Sequence, residues 1–357
     1  MHITIEQKTL KDALKKIQDC VKKDRNLALT SHVSITTGVD SVTFSATNLD
    51  VYLDMQCKAV VATHGSCVVD REALKVLTKQ ATKETITIFT ERNNEIGFRK
   101  GTLNTTLDAH DPLPVAPAEG ALPFSSINAK NLAEMIKNTS YAVSTDEDRA
   151  DVMCVYLESQ NQGMSMVATD GHRLSFMRLE DKIDSFSSIL ISKKSTDALY
   201  KLLKKCPQNL VMMGASDETL VIKSDTEIMS IRIQGDIFPD YKKIIPKNND
   251  IRIEVNAATL KEAILSCPFS KKNYILGLEI TKDKITITGT NTPLDIATLN
   301  PISEDISINL NYKYLLDVLA TIDGTMVELA FLDSASSVLI TEPGNYCKLA
   351  LIMPIQT

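Results

Sequence analysis

The sequence contains no tryptophan, and its aromatic content is only 5%. No apolar run approaches the ~18 consecutive residues that a membrane-spanning helix needs, and the first eight residues lack the apolar core of a secretion signal. The seven cysteines include no Cys-x-x-Cys pair. These absences argue against a disulfide framework and a cysteine zinc site, and they predict reduced thiols in a cytoplasmic protein.

Motifs for catalysis are also scarce. No Gly-x-x-x-x-Gly-Lys-Ser/Thr stretch occurs, so we expect no ATP hydrolysis through a P-loop. The histidines show no metal-ligand spacing, and we expect no metal and no cofactor. One catalytic alternative remains, a hydrolase centred on Asp170, His172 and Ser175, although no Gly-x-Ser-x-Gly elbow supports a serine nucleophile.

What the sequence does contain is a threefold repeat. A helix-like pattern recurs around Leu10, Leu132 and Leu260. A second marker is the threonine of an Ala/Gly-Thr-Asn/Asp stretch, at Thr47, Thr169 and Thr290. These threonines lie 122 and 121 residues apart, so two independent markers share nearly one period. A repeat of this kind predicts three similar modules and argues against an enzyme with one catalytic centre.

Each period predicts a helix, alternating strands, a second helix and further strands. Two helices per period must cover one face of an antiparallel sheet, which predicts an α+β fold of three similar domains. Prolines crowd residues 112–123, and Pro246 opens a polar stretch, so the predicted domains are 1–120, 121–247 and 248–357. We place the six helices at 9–23, 70–83, 130–144, 193–205, 259–272 and 311–322.

Positive charge is concentrated in the predicted helices. They carry a net +12, so the rest of the chain must carry −18 to give the overall −6. Lysines on helices often serve only as solvated surface. Five positive helices of six beside an acidic remainder nevertheless indicate a cationic face for the phosphates of duplex DNA. Lysine-rich, aromatic-poor composition argues against base readout and single-strand stacking.

Five short stretches resemble the bacterial DNA polymerase III beta subunit family, the sliding clamps. They read VATDGHRL at 167–174, FPDY at 238–241 with IIP at 244–246, YLLDVL at 314–319, DSASS at 333–337 and LIMPI at 351–355. They occur in the family's order over the full chain, and the three-domain architecture of the family agrees with the repeat.

The resemblance implies a non-catalytic processivity subunit of the polymerase. Two copies would form a head-to-tail ring of six clamp domains, with helices lining a hole around duplex DNA and sheets outside. Stretches 102–107 and 270–276 are our candidates for the seam between copies. The implied partners are double-stranded DNA of any sequence, the DNA polymerase III alpha subunit, the clamp loader and other proteins with clamp-binding motifs, and no membrane. A clamp-like scaffold that no longer holds DNA is a further alternative.

The resemblance also implies an apolar groove where partner peptides dock between the second and third domains. Its residues would be Val152, Thr169, Gly171, His172, Arg173, Leu174, Pro239, Lys243, Ile244, Ser337, Leu351, Met353, Pro354 and Ile355. Leu174, Ile244 and Leu351 could equally be plain core. Lys243 stands where the family often has arginine, and Gln356 where it often has a basic residue, so the preferred motif is expected to differ here.

The cations expected to face DNA lie on the basic helices and on loops near residues 22–25 and 144–149. They are Lys11, Lys15, Lys22, Lys23, Arg25, Lys75, Lys79, Lys137, Arg149, Lys193, Lys194, Lys201, Lys205 and Lys261.

Overall fold

The computed structural model describes residues 1–78, 84–90, 95–117, 122–146, 148–160, 163–180, 183, 186, 188–267, 269, 274–282, 284–289, 293–299 and 304–356. The α-helices in these residues are α1 (Gln7–Cys20), α2 (Arg71–Val76), α3 (Ala129–Thr139), α4 (Lys193–Lys204), α5 (Ala257–Ser266) and α6 (Tyr312–Leu319).

The strands follow the same order along the chain. They are β1 (His2–Glu6), β2 (His32–Thr37), β3 (Ser41–Thr47), β4 (Val51–Lys58), β5 (Val60–Thr63), β6 (Ser66–Asp70), β7 (Thr85–Thr90), β8 (Glu95–Lys100), β9 (Leu103–Asp108), β10 (Ser125–Asn128), β11 (Cys154–Gln160), β12 (Gly163–Thr169), β13 (Arg173–Leu179), β14 (Ile189–Ser192), β15 (Leu210–Ala215), β16 (Thr219–Lys223), β17 (Glu227–Arg232), β18 (Ile251–Asn256), β19 (Ile275–Thr281), β20 (Lys284–Thr288), β21 (Leu294–Ala297), β22 (Ile306–Asn311), β23 (Met326–Phe331), β24 (Val338–Glu342) and β25 (Asn345–Ile352).

The chain divides into two compact units, residues 1–133 with 182–234 and residues 134–181 with 235–357. In the first unit, one sheet has the strand order β5-β1-β7-β8-β9 and another β10-β15-β16-β17-β4-β3-β2-β6. The second unit contains the order β11-β12-β13-β25-β24-β23-β18 and a smaller sheet, β21-β20-β19-β22. The pairs between neighbouring strands of these orders are antiparallel, as predicted.

Sheets continue across the predicted domain boundaries. In the first unit, β17 of the predicted middle domain pairs with β4 of the predicted first domain, with Ile231 opposite Val51. In the second unit, β13 of the middle domain pairs with β25 of the third, with Leu174 opposite Leu351. The middle stretch therefore contributes strands to both units, and the boundaries at 120/121 and 247/248 remain predictions.

The helices form because each presents one apolar stripe to a sheet. In α1 the buried residues Leu10, Ala13, Leu14 and Ile17 recur at intervals of three or four, which puts them on one face. Asp70 caps α2 by accepting a hydrogen bond from the backbone N–H of Ala73 at 2.8 Å. None of the helices in the described residues has the length and apolarity that crossing a bilayer requires.

Several helices end earlier than predicted. α3 gives way after Thr139 to a single 3-10 turn, Ser140–Ala142, instead of running to 144. α5 ends at Ser266 because Cys267 precedes Pro268 and adopts extended backbone angles, as residues before proline tend to do.

The predicted helix at 70–83 is also too long. α2 ends at Val76, and residues 79–83 lie outside the described residues. With these shorter bounds the helices carry a net +7 instead of +12, and α1 and α4 account for +5 of it. Positive charge is therefore less evenly spread over the three repeats than the sequence indicated.

The repeat leucines are core residues, and we expect this to show in stability. Leu10 is completely buried, whereas Leu210 is 60% exposed in the same unit. Leu10→Ala should lower the free energy of unfolding by about 2–5 kcal/mol, because it leaves a cavity. Leu210→Ala should stay within about 1 kcal/mol, the range of strand propensity. Urea denaturation of both variants measures this, and similar losses would contradict the assignment of Leu10 to the core.

Candidate functional site

A tight turn between β12 and β13 carries four of the predicted groove residues. The Asp170 carboxylate accepts hydrogen bonds from the backbone N–H groups of His172 at 2.9 Å and of Arg173 at 3.0 Å. The Thr169 hydroxyl donates to the Arg173 carbonyl at 2.6 Å. Gly171 has a φ of +89°, in the left-handed region that favours glycine. Together these contacts fix the turn and leave His172 exposed.

The hydrolase alternative is wrong. Asp170 binds the backbone of His172, and no hydrogen bond between His172 and Ser175 occurs among the described residues. Ser175 is buried, donates to the Asn138 carbonyl at 2.6 Å and lies 3.1 Å from the Tyr141 hydroxyl. Burial raises the pKa of Tyr141 to about 12, so its phenol keeps the proton that it donates to Ser175. Ser175 is thus a packed hydroxyl and not a nucleophile.

Arg173 is held from three directions. Its Nε donates to Asp170 Oδ2 at 2.9 Å, one Nη to Asp317 Oδ2 at 2.6 Å, and the other Nη to the Tyr141 carbonyl at 2.8 Å. Its guanidinium carbon lies 4.3 Å from the ring centre of Tyr314. Because all three nitrogens are engaged and the side chain is only 11% exposed, Arg173 ties α6 to the turn and does not offer a free charge to a ligand.

The floor beside this turn is an apolar cluster. Leu174 of β13 and Leu351 of β25 lie opposite each other in the sheet and pack with Val167 and Tyr241. Leu174 is 3% exposed and Leu351 4%. These two predicted groove residues are therefore core, which was the second interpretation of them.

Aromatic residues cover the edge of this cluster. Phe238 stacks on Tyr156 with ring centres 4.9 Å apart and planes 6° from parallel. The Tyr241 hydroxyl donates to Glu158 Oε2 at 2.9 Å, which fixes the ring. Pro239, between these two aromatic residues in sequence, is half-buried.

Two of the predicted groove residues are exposed and apolar. Met353 is 46% exposed and Ile244 is 48% exposed. The backbone N–H of Met353 donates to the His172 carbonyl at 2.8 Å, and that of Ile355 donates to the Asn309 carbonyl at 2.8 Å. These bonds hold the segment beyond β25 beside a cavity of about 530 Å³, lined by His172, Tyr274, Asn311, Tyr314, Met353, Pro354 and Ile355.

The remaining groove predictions vary in position. Val152 is completely buried and offers no surface to a peptide. The carbonyl of half-buried Ser337 accepts from Asn249 Nδ2 at 3.1 Å. Lys243 is 83% exposed and pairs with Asp240 at 2.9 Å. The groove prediction did not include the lining residues Tyr274, Asn311 and Tyr314. The YLLDVL motif contained a signal for Tyr314, and Tyr274 lies in the stretch 270–276 that was assigned to the seam instead.

The predicted cationic surface is best developed on α1 and α4, which pack against each other in the first unit. Lys11, Lys15 and Lys194 are exposed, and none of the three has an ion pair within the described residues. Lys22, Lys23 and Arg25 are exposed just after α1. In the second unit, Lys261 is exposed on α5.

Other predicted cations of the first unit have partners within the chain. Lys205 pairs with Asp19, and Lys201 Nζ donates to the Asp19 carbonyl at 3.2 Å. Lys193 pairs with Asp197 in the next turn of α4. Lys201 and Lys205 therefore hold α4 against α1, whereas the Lys193 pair lies within α4. Less of the charge of Lys193 and Lys205 is available for DNA than predicted. Lys75 pairs with Glu72 at 3.6 Å, and Lys79 lies outside the described residues.

Two predicted cations of the second unit are likewise paired. Lys137 contacts Asp323 at 3.2 Å and Glu134 at 3.5 Å. Burial lowers its pKa, but these carboxylates outweigh burial and raise the pKa of Lys137 above its ordinary value. Arg149 binds Asp151 through two nitrogens, at 3.2 and 3.1 Å. The described residues contain no group of three or more His, Cys, Asp or Glu side chains that could hold a metal ion.

Comparison with known proteins decides what this arrangement is. Models of the DNA polymerase III beta subunit match the chain over residues 1–115 for the N-terminal domain, 126–240 for the central domain and 242–356 for the C-terminal domain. The chain belongs to the DNA polymerase III beta subunit family. Its members are sliding clamps, processivity subunits of replication without catalytic residues, so the predictions of function and of a non-enzyme are confirmed.

Individual relatives are distant but match over their full length. The beta sliding clamp of Rickettsia felis is 23% identical over 380 residues, which covers all of both chains. The beta subunit structure from Pseudomonas aeruginosa superposes with a TM-score of 0.95 at 23% identity, over all of both chains. A Caulobacter crescentus clamp structure gives 0.94 at 21% identity, again over all of both chains. The predicted α+β fold of three clamp domains is thereby confirmed.

Two cations of the predicted groove should differ sharply in their contribution to stability. Arg173→Met should lower the free energy of unfolding by about 3 kcal/mol, because it leaves the little-exposed Asp170 carboxylate without its partner. Lys243→Met removes an 83% exposed charge and should change stability by less than about 0.5 kcal/mol. Chemical denaturation distinguishes them, and equal effects would show that Arg173 is not the residue that ties α6 to the turn.

Proposed function

We propose that two copies of this chain close head to tail into a ring that slides on duplex DNA. The ring tethers the DNA polymerase III alpha subunit and other proteins with clamp-binding motifs, and a clamp loader opens it, all in the cytoplasm. The observation that carries the proposal is the pair of packed helices α1 and α4, whose exposed Lys11, Lys15 and Lys194 lack ion-pair partners in the described part of the chain.

Lysine suits a sliding contact. Its ammonium group is a compact, hydrated charge on a flexible stem, so it attracts phosphates without fixing a base register. The attraction is diffuse and sensitive to salt. A topological link then supplies retention, and the charges only need to keep the DNA centred.

The seam of the ring is supported in the first unit by an exposed sheet edge. Strand β9 lies at the end of its sheet order, and Leu103 in it is 70% exposed. Val76 nearby is 56% exposed. A cavity of about 330 Å³ opens there, lined by Val76, Leu77, Ile86, Phe98, Lys100, Leu103 and Thr105. Exposed strand edges and apolar patches of this kind are typical of interaction sites, and stretch 102–107 lies here.

The second unit offers a corresponding surface. Its smaller sheet ends at β21 and β22. Leu299, just past β21, is 69% exposed, and Leu265 on α5 is 63% exposed. We assign these two leucines to the seam. Of the predicted stretch 270–276, Tyr274 lines the cavity beside His172, Leu276 is completely buried, and residues 270–273 lie outside the described residues. In the proposed ring, the β9 edge of one copy meets the surface around Leu265 and Leu299 of the other copy. This contact joins two different surfaces, and two copies related head to tail close the ring.

The tether site is the rim of the cavity around His172 and Met353, and we assign the exposed Ile244 to it on the family resemblance. Exposed apolar side chains beside a cavity suit the Leu or Phe of a partner peptide, and methionine adapts to several partners. The Lys243–Asp240 pair at its edge neutralises a charge that could otherwise contact a peptide. We therefore expect the groove to prefer a different peptide motif from that of relatives with arginine at the position of Lys243.

The ring predicts a topological release. Protein loaded on a nicked circle should co-elute with the DNA in gel filtration and should slide off when a restriction enzyme linearises the circle. An ordinary DNA-binding protein would stay on the linear product, and that result, or no retention on the circle, would contradict the ring.

Charge-reversal variants sharpen the same experiment. Replacing Lys11, Lys15 and Lys194 by Glu should weaken binding to a short duplex and flatten its salt dependence. In a plot of the logarithm of the binding constant against the logarithm of the salt concentration, the slope should become less negative by about 0.9 for each phosphate that the variant no longer neutralises. Lys58→Glu, an exposed lysine at the end of β4, is the matched control and should have little effect. Equal weakening by the control would place the DNA elsewhere.

The groove has its own prediction. Met353→Ala and Ile244→Ala should each weaken binding of a short peptide containing Leu and Phe by about tenfold. Each substitution removes apolar surface whose burial contributes binding free energy of the order of 1.4 kcal/mol. Leu332→Ala, at a leucine that is 49% exposed and is not one of the predicted groove residues, is the control. Isothermal titration with the intact chain measures this; unchanged affinity in both rim variants would exclude this rim as the tether.

A further inference from the structure

The turn between β3 and β4 in the first unit repeats the turn that shapes the groove. The backbone N–H of Leu49 donates to the Thr47 hydroxyl at 2.9 Å, as that of Gly171 donates to Thr169 at 3.1 Å. The Asn48 side-chain oxygen accepts from the backbone N–H groups two and three residues later, those of Asp50 at 3.2 Å and Val51 at 2.8 Å. The Asp170 carboxylate accepts from the N–H groups at the same two offsets. The two turns therefore have the same hydrogen-bond pattern.

A strand from the next repeat approaches both turns in the same way. The backbone N–H of Arg232, at the end of β17, donates to the Asp50 carbonyl at 2.8 Å. The N–H of Met353, just past β25, donates to the His172 carbonyl at the same distance. The first unit thus has its own counterpart of the site around His172.

The first turn is strained where the second is not. Leu49 has a φ of +75°, whereas its counterpart Gly171 has +89°. A side chain as large as leucine is rarely found in this left-handed region. Such strain persists only where the surroundings enforce it, and it is concentrated at ligand sites and switches.

A cleft with a polar floor opens beside this turn, and its volume is about 220 Å³. Ser34, Ser45 and Asp54 stand opposite one another across β2, β3 and β4 and form its floor. The complete lining is Ser34, Thr36, Ser45, Ala46, Thr47, Tyr52, Asp54, Leu113, Pro114, Val115 and Ala116.

The repeat explains why the floor of this cleft is polar. Tyr52 occupies the place of Leu174, and Ser230, opposite Tyr52, occupies the place of Leu351. Ser45 stands two residues before Thr47, as Val167 stands before Thr169. Where the second unit buries an apolar cluster, the first presents hydroxyl groups and one carboxylate. The floor of the cleft is therefore polar, and its wall at Leu113, Pro114, Val115 and Ala116 is apolar. Such a lining suits a side chain with an apolar stem and a polar end.

The carboxylate sets the sign of the ligand. Asp54 is half-buried, and neither an ion pair nor a hydrogen bond to its side chain occurs among the described residues. Its charge is surrounded by hydroxyl groups that can accept further hydrogen bonds. An ammonium or guanidinium group entering the cleft would pair with Asp54 and donate to these oxygens.

We propose that this cleft docks an extended segment of a partner protein through one lysine or arginine side chain. The segment would lie beside residues 113–116, with the cation on Asp54 and the hydroxyl groups of Ser34 and Ser45. This second docking site is independent of the groove around Met353, and the two would let one chain hold partners of different chemistry.

The test uses the intact chain and a fluorescein-labelled Gly-Ser-Lys-Ser-Gly peptide at low ionic strength. Anisotropy should report saturable binding that Asp54→Asn weakens about tenfold, the effect of removing a charge-assisted hydrogen bond. Asp40→Asn removes one negative charge from an exposed turn of the same unit and should leave the affinity within about twofold. Ser45→Val, which fills the cleft without changing charge, should also weaken binding. A peptide with Nε-acetyl-lysine should not bind.

Four results would overturn the proposal. One is the absence of saturable binding, and another is an equal loss in Asp40→Asn, which would mean general attraction to an acidic chain. A third is undiminished binding of the acetylated peptide. The fourth is Asp54-dependent binding of spermidine without binding of the peptide, because the cleft would then hold a free polyamine and not a partner segment. A thermal melt of each variant checks that folding is intact.

Discussion

Strand pairing between successive repeats is the constraint on which the other features depend. β17 completes a sheet with β4, and β25 completes another with β13. Each pairing aligns the end of one repeat with a turn of the preceding repeat, and the backbone bonds to Asp50 and His172 follow from it. We call these two places, where β17 meets β4 and where β25 meets β13, the junctions. Backbone hydrogen bonds do not depend on side-chain identity, so both junctions keep the same backbone geometry while their surface residues differ. One junction is lined by exposed apolar residues and the other by hydroxyl groups.

The described lysines of the first unit include two groups, those paired with a carboxylate and those that are free to contact a ligand. Lys16 pairs with buried Glu227, and Lys205 pairs with Asp19, so these charges hold α1 against β17 and α4. A buried carboxylate needs such a partner, because an unpaired charge inside the protein is costly. Lys11 and Lys15 lie on the exposed face of α1 and remain available for phosphates. The same helix therefore serves both the fold and the proposed contact with DNA.

Local patterns in the sequence predicted the fold well and the site in part. The repeat and the hydrophobic periodicity are short-range signals, and they identified three α+β domains before any contact was known. Contacts between distant residues leave no such signal: Lys201 meets Asp19 across 182 positions, and Arg173 meets Asp317 across 144. Arg173 was thus expected at the groove, but its burial against Tyr314 could not be foreseen. The early end of α5 could have been, since Pro268 follows Cys267 directly.

The contrast between Gly171 and Leu49 bears on how the two junctions came to differ. Glycine adopts positive φ without strain, so the turn at 169–173 needs no support beyond its own hydrogen bonds. Leu49 adopts nearly the same angle against its preference, and the neighbouring pairing of β4 with β17 must hold it there. The same strand β4 carries Asp54, which the pairing of β2, β3 and β4 sets opposite Ser45 and, beyond it, Ser34. Sheet pairing thus fixes the order of these oxygens, and a cation that enters the cleft meets groups already in place.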